Sequence, residues 1–348
     1  MKALSVERGA QVAPGLVLAQ DVRDRGGRIA LDKGLVLSED DVARLGALAW
    51  EELHLIALEP GDLHEGEAGQ RLAAAAAGPG VEVLPLAGGA WPLQARVRGL
   101  LELDEARLAA VNALDDVVLY LLPHGQIVLE GELLGRAKIV PFVTRAGNIT
   151  RAEELAAGRG LLRVRPFKPH RVAAIVHESL EAPQLKRFRE AFEEKLRFFG
   201  SELVGLQVCP GNAASLAAAL QAALGVGAEL ITVAGSKPMD PLDPSLQALA
   251  LAGARMEKHG VPSHPGTLLW LAYAGPPGPD EVPVIGMPSC GLFSKATVFD
   301  LLLPRFFVGD RIRRHELAAL GSGGLLSRDA LWRFPPYRPH QSRGELGE

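Results

Sequence analysis

The chain has 348 residues, of which 48% are hydrophobic and 22% are charged. These fractions are close to the averages for soluble globular proteins, so they exclude a largely disordered chain and leave room for two or three domains. A formal net charge of −4 gives no overall attraction for nucleic acid or for an anionic membrane. Only Cys209 and Cys290 occur, which argues against a disulfide framework and against a structural zinc site.

The start of the chain and its longest apolar runs also bear on location. The opening "MKALSVERGAQV" is charged where an export signal needs an unbroken apolar stretch. No run of about 18 apolar residues without a charge is present, which is the length that a membrane-spanning helix needs. Together with the sparse cysteines, these features predict a cytoplasmic protein that contacts neither a membrane nor nucleic acid.

The N-terminal half predicts two small regions. Short strand-like runs separated by glycine turns, with Ser38 as a helix N-cap, predict a small β-rich module over residues 1–94. The helix-like "DEARLAAVNAL" and the strand-like "DVVLYLL" and "AKIVPFV" predict an α+β linker region over residues 95–167. The proline-containing stretch "RVRPFKPHR" predicts the main boundary.

From Arg171 onward, strand-like and helix-like segments alternate. The fold class predicted for residues 168–315 is therefore α/β, with three layers, a mainly parallel sheet and helices on both faces. Residues 316–348 are expected to form a C-terminal extension with a disordered, proline-rich tail. The strand-like runs are "VAAIVH", "LVGLQVC", "ELITVA", "LLWLAYA" and "VPVIGM". The predicted helices begin after Pro183, after Asn212, at about Pro244 and at Ser294.

Three predicted loops leave strands at the same edge of this sheet, where ligands bind in open parallel sheets. They are "HESLEAP" from His177, "AGSKPMDPLD" from Ala234 and "GMPSCGLFSK" from Gly286. In the second loop, a small turn lets backbone approach a ligand, a lysine can contact phosphate, and two carboxylates can hold a metal or orient a reacting oxygen. The third loop precedes a helix whose N-terminus can receive an anion. The loops therefore predict a site for a phosphate-bearing ligand.

Each candidate side chain also has a structural alternative. Asp243 can simply cap the next helix, with Asp240 completing a proline-rich turn. Cys290 can be a small buried hydrophobic residue, and Lys237 can be a solvated loop lysine. His177, at a strand end, can act as a base or a ligand partner or can be a structural histidine.

The segment from about Val172 to Gly309 resembles the molybdopterin-binding domain shared by molybdopterin adenylyltransferase and molybdopterin molybdotransferase. The run "TVAGSKPMDPLDP" stands where the family has a Gly-Gly turn, acidic residues and a helix. The turn His264-Pro265-Gly266 replaces a Lys-Pro-Gly turn, and "GMPSCG" replaces Gly-x-Pro-Gly-Asn-Pro. Because the glycine turn, the lysine and the asparagine are changed, a divergent group of molybdopterin-binding proteins is more similar than the enzymes.

The resemblance implies molybdopterin or the molybdenum cofactor as ligand, with or without nucleotide, and a function in molybdenum cofactor biosynthesis. It implies a homo-oligomer in which Asp240 and Asp243 bind Mg²⁺ and act in catalysis, as adenylyl transfer or molybdate insertion. Two alternatives stay open, namely a non-catalytic carrier or storage protein and a nucleotide pyrophosphatase built on the same domain. The residues implied to bind the ligand are His177, Gly235, Ser236, Lys237, His264, Gly266, Pro288, Ser289, Cys290 and Gly291.

Overall fold

The computed structural model divides the chain into two compact units, Met1–Arg165 and Pro166–Glu348. The structure describes residues 1–237, 239–240, 242–278, 280–288, 296–326 and 328–337. The first residues of the expected tail are described, with Phe334 and Tyr337 buried, whereas residues 338–348 and the start of the last predicted helix at Ser294 lie outside the described residues. Within those described ranges, no helix combines the length and the apolar character that crossing a bilayer requires.

The first unit consists of short strands and helices. Its strands are β1 (Lys2–Glu7), β2 (Val17–Leu18), β3 (Val22–Arg23), β4 (Ile29–Leu31), β5 (Glu52–Ala57), β6 (Asp62–His64), β7 (Val81–Val83), β8 (Trp91–Ala95), β9 (Gly99–Leu103), β10 (Val117–Leu121), β11 (Ile127–Val128), β12 (Leu133–Ile139), β13 (Val143–Arg145) and β14 (Leu162–Pro166). Its helices are α1 (Glu39–Leu45), α2 (Glu65–Ala76), α3 (Glu105–Asn112) and α4 (Ala146–Ala156). The β-rich character expected of the N-terminal half is confirmed.

These strands form small sheets around two separate cores. The order β1-β5-β2 and the pair β3-β4 surround a core that contains Leu18, Leu53 and Leu55. The order β10-β12-β8-β7 lies against a second core, to which α2 contributes Leu72 and α4 contributes Ile149. Small sheets of this kind bury apolar side chains on one face only, so each needs a helix or another sheet to cover it.

The second unit contains longer elements. Its strands are β15 (Arg171–Val176), β16 (Glu202–Val208), β17 (Leu230–Ala234), β18 (Arg255–His259), β19 (Trp270–Ala274) and β20 (Val282–Met287). Its helices are α5 (Ala182–Phe198), α6 (Ala213–Gly225), α7 (Pro244–Leu251), α8 (Val298–Phe307) and α9 (Arg314–Ala319), and a 3-10 helix spans Arg328–Arg333.

The strands of the second unit form one six-stranded sheet in the order β16-β15-β17-β20-β19-β18. The pairings of β15 with β16, β15 with β17 and β17 with β20 are parallel, whereas β19 is antiparallel to both β20 and β18. The predicted α/β class with a mainly parallel sheet is confirmed. Strand β18 was missed, because its sequence "RMEKH" is charged and lacks the apolar run by which the other strands were recognised.

Helices cover both faces of this sheet, as predicted. On one face, α5 and α8 pack on Val172, Ala174 and Val176 of β15. On the other face, α6 and α7 pack on Ala173 and Ile175. This alternation of faces along β15 follows from the two-residue period of a strand. Helix α5 forms because Phe188, Phe192 and Leu196 recur at steps of four on one face, and a capping box of Glu181 and Gln184 fixes its start.

Candidate ligand-binding site

The carboxyl edge of the six-stranded sheet is the edge at which β15, β17 and β20 end. The His177 N–H donates to the Ala234 carbonyl at 2.7 Å, and the Gly235 N–H donates to the Met287 carbonyl at 3.0 Å. These bonds hold the three predicted ligand loops side by side where they begin. Because β18 runs in the same direction as β20, the segment 260–269 that joins β18 to β19 lies at this edge as well.

The turn after β17 brings backbone and side chains close together. Gly235 has φ +88°, a left-handed conformation that favours glycine. A β-carbon at this position would lie 3.0 Å from Cγ of Glu178, so the Glu178 side chain passes directly over the glycine. The next residue, Ser236, is fully buried, and its Oγ accepts a hydrogen bond from Trp270 Nε1 at 2.9 Å. The Glu178 side chain therefore fills part of the space in which a ligand was predicted to approach the backbone at Gly235.

The two aspartates of the second loop form a capped turn. Asp243 is 8% exposed, and its two oxygens accept the N–H groups of Lys237 at 2.7 Å and Ser245 at 2.8 Å. Asp240 is exposed, and its Oδ1 accepts the Leu242 N–H at 2.9 Å. These contacts are those of an N-cap and an Asx turn. The metal-binding and catalytic roles of both aspartates stay predictions.

Replacing Asp243 with alanine is expected to lower the free energy of unfolding by about 1 to 2 kcal/mol, because the variant leaves two backbone donors without their acceptor. Asp240→Asn keeps an acceptor for Leu242 and should change stability by less than about 0.5 kcal/mol. Urea denaturation with and without Mg²⁺ measures both. A wild-type protein stabilised by Mg²⁺ alone, with the effect lost in Asp240→Asn, would instead favour the metal-binding role.

His177 and Lys237 occupy different positions at this edge. His177 is half-buried, and its Nδ1 lies 2.7 Å from the Cys209 carbonyl. The Lys237 side chain is exposed, and no hydrogen bond or ion pair joins its ammonium group to any residue that the structure describes. A fixed imidazole and an uncommitted cation are therefore available on neighbouring loops.

The predicted turn at His264 lies on the segment between β18 and β19. His264 is exposed, and its backbone pairs with Gly324 and Leu326 in the C-terminal extension. The His264–Pro265 peptide bond is cis, and Gly266 has φ +123° and packs against Val298 at the start of α8. Pro288 is half-buried at the end of β20. The other predicted members of this group, Ser289, Cys290 and Gly291, lie outside the described residues.

Buried polar atoms without hydrogen bonds concentrate at the carboxyl edge. In the described part of the chain, four buried side-chain nitrogen or oxygen atoms have no partner: Trp91 Nε1, Glu178 Oε1, Ser245 Oγ and Ser263 Oγ. Trp91 belongs to the first unit, and the other three lie in segments that follow β15, β17 and β18. Ser245 and Ser263 are only 1% and 4% exposed. Each unsatisfied group costs about 1 to 3 kcal/mol, so three of them in segments that meet this edge indicate contacts with a ligand or with water there.

Sequence reasoning did not single out these three side chains. Glu178 lies in the loop "HESLEAP", which was predicted to face the ligand, but only the structure shows that its carboxylate is without a partner. Ser245 and Ser263 have no sequence signal that separates them from other serines, because hydrogen bonding depends on tertiary neighbours.

The helix N-termini at this edge already have protein caps. Asn212 accepts the Ser215 N–H at the start of α6, Asp243 caps α7, and Glu181 and Gln184 form the capping box of α5. In the part of the chain that the structure describes, no group of three or more His, Cys, Asp or Glu side chains is placed to hold a metal ion. The helix ends at this edge are thus partly committed to the protein's own caps, and the described residues offer no ready metal centre.

Comparison with known proteins gives a distant likeness among solved structures. No protein-family model matches the chain, and no curated protein matches it. Among solved structures, it resembles a chain from Corynebacterium diphtheriae titled "Putative molybdenum cofactor biosynthesis protein", with 18% sequence identity. The match covers 41% of this chain and 98% of that chain, with a TM-score of 0.32. A likeness this distant decides nothing about function.

Proposed function

We propose that the protein binds molybdopterin, or a metal-loaded or nucleotide-linked form of it, at the carboxyl edge of the second unit, and that it acts in molybdenum cofactor metabolism. One observation carries the proposal. The unsatisfied atoms of Glu178, Ser245 and Ser263 lie in or directly beside the segments of His177, Asp243 and His264, for which the sequence resemblance implies a role in the site. Hydrogen-bonding groups of a ligand bound along this edge would satisfy them.

The residues present fit such a ligand. Glu178 offers an acceptor, and the hydroxyl groups of Ser245 and Ser263 can each donate or accept. The exposed ammonium of Lys237 suits a terminal phosphate, and the hydrogen bond from its backbone N–H to Asp243 fixes the position of this residue in the loop. Molybdopterin combines a nitrogen-rich ring system with a phosphate, so these groups match both of its ends.

The capped helix ends favour binding over group transfer. Transfer of a phosphoryl or adenylyl group needs donors or a metal aimed at the charge that develops in the transition state. At α6 and α7, Asn212 and Asp243 already accept one of the backbone N–H groups that helix ends supply for this purpose, those of Ser215 and Ser245. A carrier or storage protein of the cofactor therefore fits better than an adenylyltransferase, and the transferase is the second candidate.

The test is titration of the full-length protein with molybdopterin, followed by the change in pterin fluorescence. Wild type is expected to bind, and Ser245→Ala and Ser263→Ala are expected to bind about tenfold more weakly each, for a loss of about 1.4 kcal/mol. Because each substitution removes an unsatisfied buried hydroxyl, the unliganded variants should be as stable as wild type or slightly more stable.

Glu202→Gln is the matched control, since Glu202 is exposed at the start of β16, at the opposite edge of the sheet. Absence of molybdopterin binding by wild type would reject the proposed function. Incubation of the loaded protein with ATP and Mg²⁺ separates the two candidates, because release of pyrophosphate with an adenylylated product would establish the transferase.

A further inference from the structure

We propose that Glu178 and His177 together form the part of the site that reads the donor groups of the pterin ring, its 2-amino group and the adjacent ring N–H, so that the ring lies over the end of β15. This inference rests on the proposed function and adds to it the orientation of the ligand and the residues that select its ring. It follows from two observations: His177 is bonded through Nδ1, and Glu178 Oε1 is buried without a hydrogen bond.

The tautomer of His177 is set by the protein. A carbonyl oxygen can only accept, so the contact between His177 Nδ1 and the Cys209 carbonyl requires the hydrogen to be on Nδ1. In the neutral ring, Nε2 then carries a lone pair and acts as an acceptor. Cys209 is itself fixed, because its N–H donates to the Val176 carbonyl at 2.8 Å. The hydrogen bond to the Cys209 carbonyl therefore fixes the imidazole ring, whose Nε2 is available as an acceptor.

The carboxylate of Glu178 is the second acceptor. Its Oε1 is buried without a hydrogen bond, and no ion pair or hydrogen bond joins Glu178 to any described residue. Its stem occupies the space above Gly235, since a β-carbon there would lie 3.1 Å from both Cβ and Cδ of Glu178. The glycine thus leaves space for the glutamate, which is a reason for glycine beyond its positive φ.

Two adjacent acceptor oxygens match two adjacent donors. The exocyclic 2-amino group and the neighbouring ring N–H of a pterin lie side by side, and a carboxylate accepts both at once in a planar pair. A phosphate at this position would instead face an unpaired carboxylate and be repelled. The phosphate end of the ligand is therefore placed toward Lys237 on the loop after β17, and the ring toward β15.

Two small probe molecules differ in the groups that they present to Glu178: one offers two hydrogen-bond donors, and the other offers one donor and one acceptor. Pterin-6-carboxylate has the 2-amino group, whereas lumazine-6-carboxylate has an oxygen there and presents one acceptor and one donor to the same position. Wild type should bind the pterin about 10- to 100-fold more tightly, because a carboxylate opposite the carbonyl oxygen of the lumazine places two acceptors in contact. Fluorescence titration of both probes measures the ratio.

Glu178→Gln should reverse or abolish this preference. Glutamine keeps the shape of glutamate but presents one acceptor and one donor, which complements the lumazine and mismatches the pterin. We expect pterin binding to weaken about tenfold and lumazine binding to strengthen, while Glu202→Gln keeps the wild-type ratio. The ratio of pterin to lumazine affinity is measured on the wild-type protein, so it tests the inference even if Glu178→Gln fails to fold.

The outcomes separate this inference from the proposed function. Equal affinity of wild type for the two probes, or an unchanged ratio in Glu178→Gln, overturns the role of Glu178 and leaves the proposed function standing. If wild type binds molybdopterin but neither probe, the ring is not what the site reads, and the inference fails alone. If wild type binds neither the probes nor molybdopterin, both fail.

Discussion

Lys195→Met is expected to lower the free energy of unfolding of the second unit by about 3 to 5 kcal/mol. Lys195 is 1% exposed, and its ammonium forms an ion pair with Asp300, which is 0% exposed. Oδ1 of Asp300 also accepts the hydroxyl of Tyr337 at 2.7 Å, and Oδ2 accepts the N–H and hydroxyl of Thr297 at the start of α8, both at 3.0 Å. Removing the lysine leaves a buried carboxylate without its cation.

Tyr337 cannot replace that cation. Burial in the core, and Asp300 beside it, raise the pKa of Tyr337 well above its ordinary value, so the hydroxyl stays neutral and supplies only a hydrogen bond. Guanidinium denaturation followed by circular dichroism measures the loss. The matched control is Lys186→Met on the same helix, where the side chain is 77% exposed and its ion pair with Glu190 should contribute less than about 1 kcal/mol.

The double variant Lys195→Met/Asp300→Asn tests the explanation itself. It removes both charges and keeps an acceptor for Thr297, so it should recover a substantial part of the stability that Lys195→Met loses. A double variant that is as unstable as the sum of the two single variants would show that packing, and not the unpaired charge, explains the loss.

The second large effect is expected from Gly286→Ala, which should destabilise the second unit by about 3 kcal/mol. Gly286 on β20 lies directly opposite Trp270 on β19. The indole ring covers the glycine, and an added β-carbon would overlap ring atoms of Trp270. Because Trp270 is 0% exposed, it has no free space into which to move.

This substitution should also disturb the ligand site. Trp270 Nε1 donates to Ser236 Oγ, so displacing the ring releases the serine that starts the loop after β17. Near-ultraviolet circular dichroism of the tryptophan band, together with denaturation, reports both effects. Gly225→Ala at the end of α6 is the control, because an added β-carbon meets no atom within 4 Å there and should be neutral or slightly stabilising. A Gly286→Ala protein with an unchanged tryptophan band would contradict the overlap.

Periodicity and composition were sufficient to predict the architecture of the second unit. The buried strands β15, β17 and β20 are continuous apolar runs, and the phenylalanines of α5 recur at helical spacing, so both kinds of element are recognisable in the sequence. The order of strands and helices then indicates a mainly parallel sheet whose ligand loops share one edge. Strand β18 was missed because its charged residues depend for their strand conformation on pairing with β19.

The candidate site was predictable as a place but not as a set of side chains. The loops after β15 and β17 begin side by side, as expected from the topology. Whether a given polar group is already satisfied depends on neighbours distant in sequence. Asp243 is occupied by Lys237 and Ser245, whereas Glu178 has no partner, and both are carboxylates in proline-containing loops. Only the tertiary structure shows that Asp243 is a helix cap and that Glu178 is an acceptor without a partner.

The position of β20 determines when the second unit can fold. This strand lies in the middle of the sheet between β17 and β19, yet it follows all five of its companion strands along the chain. Until the ribosome has released Val282–Met287, β17 has no neighbour on one side and the β18–β19 pair is not joined to the parallel strands. The sheet therefore cannot be completed until then, and the nascent chain exposes unpaired strand edges of β17 and β19 in the meantime.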